Sequence, residues 1–159
     1  MSLTNSDGRR SVRKAAEEAR IVAETMNEVR DLANQPANEA FPLAIANKVR
    51  ALARKYGLSF KLLDETALKK KGCKALLSVA KGSHHAPCVI QLTHPGTATR
   101  RAPVALVGKT MTFDSGGISL KTSKGMEWMK FDKSGGMAVL AAALIASRLK
   151  WPQPITGML

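Results

Sequence analysis

The chain has 159 residues, 45% apolar and 23% charged, enough for one domain burying roughly 70% of its unfolded surface and too apolar for a disordered chain. No run approaches the ~18 to 20 apolar residues that span a bilayer and no charged-then-apolar leader opens the chain, so a cytoplasmic protein with no membrane partner is expected. Twenty-five Lys and Arg against 12 Asp and Glu give a net charge of +13, which favours an anionic partner or a chain lacking acids that would face its lysines.

Met1 to Asp7 is polar and expected to fray. From Ser11 to Ala33 the pattern is helical: Val22, Met26, Val29 and Ala33 form one apolar stripe. Arg13/Glu17, Lys14/Glu18 and Arg20/Glu24 stand at i,i+4 on other faces. Asn34-Gln35-Pro36-Ala37-Asn38 stops this helix, and a second opens at Phe41-Pro42 with Pro suited to a first turn. Its stripe is Ile45, Val49, Leu52 and Tyr56, and Gly57 ends it. Leu58, Phe60 and Leu62 alternate as a strand, and Asp64 is placed to cap a short helix reaching Lys71. Ala75–Ala80 and Pro87–Leu92 read as strands, followed by a turn at Pro95-Gly96. Pro103–Gly108 reads as a buried strand, Ser134–Leu149 as a helix packed on both sides, and Pro154–Leu159 as a strand needing partners. Helices alternating with short apolar strands predict a layered α/β domain.

Cys73 and Cys88 have neither CxxC spacing nor a nearby histidine at zinc-site spacing, so two buried free thiols are expected. The charge is uneven. Residues 1–72 hold 14 basic and 9 acidic side chains, whereas residues 73–159 hold 11 basic and three acidic, Asp114, Glu127 and Asp132.

Lys109 to Gly136 carries the candidate chemistry. It follows an apolar strand and precedes an apolar helix, and in an open α/β sheet ligands bind at the carboxyl ends of strands. Asp114 lies beside Ser115, Gly116 and Gly117, Asp132 stands just before the helix, and Lys109, Lys121, Lys124, Lys130 and Lys133 surround the acids. Three readings stay open at this point. Asp114 and Asp132 are hard ligands for a divalent cation, with Lys109 or Lys121 as neutral amine or electrophilic cation. Lysines and a glycine-rich loop before a helix suit phosphate or nucleic acid. Acids that cap, glycines that turn and lysines that form a solvated rim need no ligand. GxxxxGK[ST] is absent, DSGG is not GxSxG, and aromatics at 4% give few stacking platforms. His84 and His85 read as exposed loop histidines.

The stretch from Gly108 to Asp132 resembles the first metal-binding segment of the leucyl aminopeptidase family: Gly-Lys, four residues, Asp-Ser-Gly-Gly-Ile-Ser-Leu-Lys, then Met-Lys-x-Asp. Leu32-Ala33-Asn34-Gln35-Pro36-Ala37-Asn38 resembles the entry to that family's catalytic domain, and Ala75 to Ser83 its next strand and turn. The resemblance runs from about Val29 to Leu159. It implies a layered α/β/α fold with a mixed sheet, here the first half of the catalytic domain. Residues 1–33 are then a tail and connector helix, and residues 34–159 the truncated catalytic part.

By that resemblance Lys109, Asp114 and Asp132 are metal ligands, Asp114 as the bridge between two ions, and Lys121 is the catalytic lysine at the oxyanion. All four, Lys109, Asp114, Lys121 and Asp132, also face the substrate. The implied cofactors are two divalent metal ions, Mn²⁺ or Zn²⁺, the substrate a peptide with a leucine-like N-terminus, and the assembly a homo-oligomer, a hexamer. The family continues with an Asn-Thr-Asp-Ala-Glu-Gly-Arg segment that this sequence lacks, so inactivity of the chain alone is expected. Thr110 and Met111 replace the usual Gly and Ile, and Lys133-Ser134 a commoner Met-Gly. The alternative from charge is a non-catalytic basic module that binds nucleic acid or an acidic partner, or an assembly piece completed through its last strand.

Overall fold

The computed structural model describes residues 6–98 and 101–159, with side chains from Gly8 onward. Helix α1 spans Ser6–Asn34, one turn longer at its start than the stripe predicts; residues 1–5 of the expected tail lie outside the described residues. The buried line of α1 is Thr25, Val29 and Leu32, while Met26 is 48% exposed, so the helix is rotated from the expected stripe. Of the expected pairs, Lys14–Glu18 and Arg20–Glu24 form, but Glu17 joins Arg20 at 2.5 Å rather than Arg13.

Helix α2 spans Pro42–Tyr56, with proline in its first turn and Gly57 at φ 73° as its left-handed stop. Strand β1 is Ser59–Leu63. Asp64 then caps α3, Glu65–Lys70, its Oδ1 accepting the Ala67 N–H at 2.8 Å. The segment expected as a strand at 75–80 is helical instead: α4 spans Lys74–Ala80 and joins no sheet. Six residues are too few for periodicity to decide, and Ala75, Leu76 and Leu77 are strong helix formers. Strand β2 is Val89–His94, β3 is Val104–Val107, a 3₁₀ turn covers Met126–Phe131, α5 is Ser134–Arg148, and β4 is Ile155–Met158.

The sheet order is β1-β2-β4-β3. β1/β2 and β2/β4 are antiparallel and β3/β4 is parallel, so the sheet is mixed and α5 is the crossover between its parallel strands. The last strand is therefore an inner one, paired on both sides. Helix α5 packs on β4 and β2 with α2 beside it on β1, and α1 lies against the other side of α5. Leu92, Leu140, Ala143 and Leu144 are completely buried there, joined by Val49 and Ile45 of α2 and Val29 and Leu32 of α1. Strand β3 corrects an expectation: Val107 is 81% and Val104 43% exposed, and only Leu106 packs on the core. An all-apolar run looks buried in sequence, but β3 is an edge strand with one neighbour. Cys73 and Cys88 are free, half-buried rather than buried, and burial pushes the Cys88 thiol above its ordinary pKa.

A polar clamp fixes α1 to this body. Arg148 donates to Thr25 Oγ1 at 2.6 Å and to Ile21 O at 3.3 Å, and pairs with Glu24 at 3.0 Å. Its guanidinium also lies 4.9 Å over the Tyr56 ring, whose hydroxyl donates to Glu28 at 2.9 Å. Arg148→Ala removes the donor to Thr25 Oγ1 and the cation over the Tyr56 ring, while the Ile21 carbonyl keeps its bond from Thr25 Oγ1 at 2.7 Å. The change is expected to cost about 2 kcal/mol, read as a lower urea midpoint with unchanged slope.

Candidate metal centre

Strand β3 ends at Val107 and delivers Gly108 and Lys109 against the start of α5. The approach is made of backbone: a Cβ on Gly108 would stand 2.6 Å from Gly136 Cα, and one on Gly135 only 3.1 Å from Lys109 N. The Gly136 N–H donates to Lys109 O at 2.7 Å, and the Met111 N–H to Asp132 O at 3.2 Å. These stitches bring together residues far apart in sequence. Lys109 Nζ lies 2.9 Å from Asp132 Oδ2.

The second pair is built inside the loop. Asp114 Oδ1 accepts the Gly116 N–H at 2.9 Å, Gly116 takes φ 93°, and the Lys121 N–H closes on Ser115 O at 2.9 Å. That turn returns Lys121 to Asp114, Nζ to Oδ2 2.8 Å, with the Met129 thioether 3.0 Å away on the same ammonium. Lys121 and the Gly116 N–H, then Lys109, hold Asp114 below the usual carboxylate range. Asp132, and more weakly Asp114, keeps Lys109 protonated above the ordinary lysine range. Lys109 thus acts on both carboxylates.

Of the five lysines expected around the acids, two pair with them. Lys124 is exposed, and Lys130 lies 4.8 Å over the Phe131 ring. Lys133 is no solvated rim: it is completely buried, its Nζ donating to Gln35 O at 2.8 Å and to Lys130 O, and desolvation pushes its pKa down. The sequence reading missed this burial, the Met129 contact and the glycine approach. A signal existed for the first: a cation at the start of an apolar helix opposes the helix dipole, a local conflict of the kind that marks special positions. His84 and His85 are exposed, as expected, with His85 stacked 4.3 Å from Phe41.

The donors suit a cation. Asp132 Oδ2 is buried and has no hydrogen-bond partner among the described residues; Lys109 is its ion pair but is not aligned as a donor. Such an oxygen is costly unless something charged meets it. Among the described residues no three His, Cys, Asp or Glu side chains gather to hold a metal. Lys109 is the amine beside Asp132, and it could serve as a third donor only where a bound cation displaces its proton.

A mixed α/β sheet with paired carboxylates and lysines at the end of one strand, ahead of a buried crossover helix, defines a layered α/β domain with a candidate ligand site at the carboxyl end of a strand. Residues 27–159 match the model of the cytosol aminopeptidase family, catalytic domain. The chain is 41% identical over 138 residues to a probable cytosol aminopeptidase of Geobacter sulfurreducens, covering 87% of this chain and 28% of that protein. It is 40% identical over 158 residues to one from Azotobacter vinelandii, covering 99% and 32%. Among solved structures it superposes on the bottromycin maturation enzyme BotP in complex with Mn at TM-score 0.86 and 38% identity, covering 92% of this chain and 32% of that one. The leucyl aminopeptidase of Trypanosoma cruzi, in its apo structure, gives 0.85 and 31%, covering 90% and 28%. The chain belongs to the cytosol aminopeptidase family and spans about a third or less of the relatives it matches.

Proposed function

We propose that these residues form one side of a metal-dependent aminopeptidase site that removes leucine-like N-terminal residues from peptides. The observation that carries the reading is the juxtaposition of the Lys109–Asp132 and Lys121–Asp114 pairs at the end of β3, inside the stretch matched to the family. Asp114, Asp132 and the Lys109 amine would hold divalent cations, and the buried Asp132 Oδ2, which has an ion pair with Lys109 but no aligned hydrogen bond, fits that role. Two such ions, when bound, supply Lewis-acid polarisation of a peptide carbonyl and make hydroxide available near neutral pH. BotP in complex with Mn supports Mn²⁺ as the first ion to test, with Zn²⁺ the other candidate.

The chain's own side chains have separable tasks. Asp132 and Asp114 offer negative charge to the substrate's free α-amine. Lys121 places an ammonium where the carbonyl oxygen gains charge, and the reading makes it the catalytic residue. Asp114 and the Met129 sulfur hold that ammonium in one place beforehand, which reduces reorganisation during reaction. Residues 1–33 as connector and 34–159 as catalytic part, a cytoplasmic location and hexameric assembly belong to the same reading. The relatives' names support the location.

Three donors under-coordinate even one cation, so the isolated chain is expected to bind Mn²⁺ weakly and to leave leucine amide intact. The decisive test supplies the rest of a site. Residues 27–159 are exchanged for the matching third of a full-length cytosol aminopeptidase, and Mn²⁺-dependent leucine-amide hydrolysis is measured. Turnover in the chimera that disappears on removing the ions supports the reading. A folded chimera without turnover overturns it.

A further inference from the structure

Lys133 has no task in the site just described, yet among the described residues it is the largest side chain to be completely buried. No carboxylate lies within ion-pair distance of it among the described residues, and only two carbonyls accept from its ammonium. Stability does not explain such a group. A hydrocarbon side chain of similar length would fill the space without a buried charge, and replacements of that kind are often neutral or stabilising.

The two acceptors show what the ammonium joins. Gln35 O belongs to the junction between α1 and α2, and the Gln35 side chain is itself bonded to Lys48 of α2. Lys130 O lies in the 3₁₀ turn, two residues before Asp132. The main chain at Asp132 has only long hydrogen bonds of its own, 3.2 Å to Met129 O and 3.2 Å from the Met111 N–H. Bonds donated by an ammonium are shorter and about twice as strong as neutral ones. We propose that Lys133 is a positioning residue for Asp132: it ties the turn that presents this carboxylate to the α1–α2 junction, and so fixes where the carboxylate stands. The inference rests on Asp132 being a metal ligand, and groups that orient metal ligands typically contribute 10- to 100-fold in affinity.

Lys133→Met in the 159-residue chain removes both hydrogen bonds while keeping the volume. Three readouts are taken together: Mn²⁺ affinity from water-proton relaxation, amide exchange residue by residue, and the melting temperature. The expected result is Mn²⁺ affinity lower by about tenfold or more and exchange at the Met111 amide faster by about tenfold. Exchange at Leu140 and Leu144 in α5 stays as in the parent, and the melting temperature is equal or higher. Unchanged Mn²⁺ affinity overturns the proposal, as does a joint loss of affinity, α5 protection and melting temperature, which is the pattern of a general structural role. Asp132→Asn separates the layers. If it weakens Mn²⁺ binding and Lys133→Met does not, positioning alone fails; if neither does, the metal reading fails and positioning with it. Should the methionine variant not fold, Lys133→Gln is read by the same criteria.

Discussion

Gly108→Ala is expected to lower the unfolding free energy by about 3 kcal/mol, a fall of roughly 6–12 °C in melting temperature for a chain of this size. The added Cβ would collide with Gly135 O and stand 2.6 Å from both Gly135 C and Gly136 Cα, all main-chain atoms that cannot swing aside. Relief requires lifting the end of β3 off the start of α5, which strains the 2.7 Å bond from Gly136 N–H to Lys109 O. Gly108 is not among the residues at positive φ, so the penalty is steric. Gly82→Ala is the control: nothing lies within 4 Å of its Cβ position, and it should be neutral or slightly stabilising. A Gly108→Ala chain melting within about 2 °C of the parent would mean that the strand and helix are free to part.

The same contact contains a pair that tests the geometry from both sides. A Cβ on Gly136 meets a side chain rather than backbone: it collides with Thr110 Oγ1 and stands 3.0 Å from Thr110 Cβ and 3.3 Å from Cγ2. Thr110 is the residue found where the family pattern has glycine. Gly136→Ala alone is therefore destabilising, and Thr110→Gly should recover part of the loss, giving a favourable coupling of about 1 kcal/mol or more in a double-mutant cycle.

The elements legible in the sequence are those with chemical punctuation. Pro42 and Gly57 bound α2, Asp64 opens α3, and the long apolar run of α5 declares a helix covered on two sides. Short apolar runs carried less. Residues 75–80 and 103–108 both read as strands in sequence; one is a helix and the other an exposed edge. Local pattern records that a segment is apolar, whereas its position among neighbours is set by the whole chain. The site divides in the same way. Asp114 and Asp132 stood out because acids are scarce after residue 72, and the family motif singled out Lys109 and Lys121. Which lysine stands beside which carboxylate depended on Gly108 meeting Gly135 and Gly136 and on the Gly116 turn, packing facts that spacing does not encode. Lys133 reads in sequence as one of the lysines around the acids. Its place at the start of an apolar helix is a local conflict with the helix dipole, but which carbonyls would receive a buried ammonium there depends on Gln35, 98 residues away.

In the chimera, Lys121→Ala is expected to lower kcat by about 100- to 1,000-fold, the range for removing one fixed donor to a developing oxyanion, with KM within a factor of about three. The asymmetry follows from when the ammonium matters. A neutral ground-state carbonyl gains little from it, whereas an oxygen acquiring full charge gains several kcal/mol from a donor already fixed in place. The site geometry adds a second condition, because Asp114 already occupies one bond of the Lys121 ammonium at 2.8 Å. If Asp114 holds a cation as proposed, Asp114→Asn removes that ligand and loosens Lys121 together, and it should raise the Mn²⁺ concentration needed for half-maximal turnover as well as lower kcat. Lys121→Ala should lower kcat with that concentration unchanged or reduced, since the freed Asp114 carboxylate no longer shares its charge with a lysine. A Lys121→Ala chimera that keeps its kcat, or that loses activity only through a higher Mn²⁺ requirement, would reassign Lys121 from oxyanion stabilisation to holding Asp114.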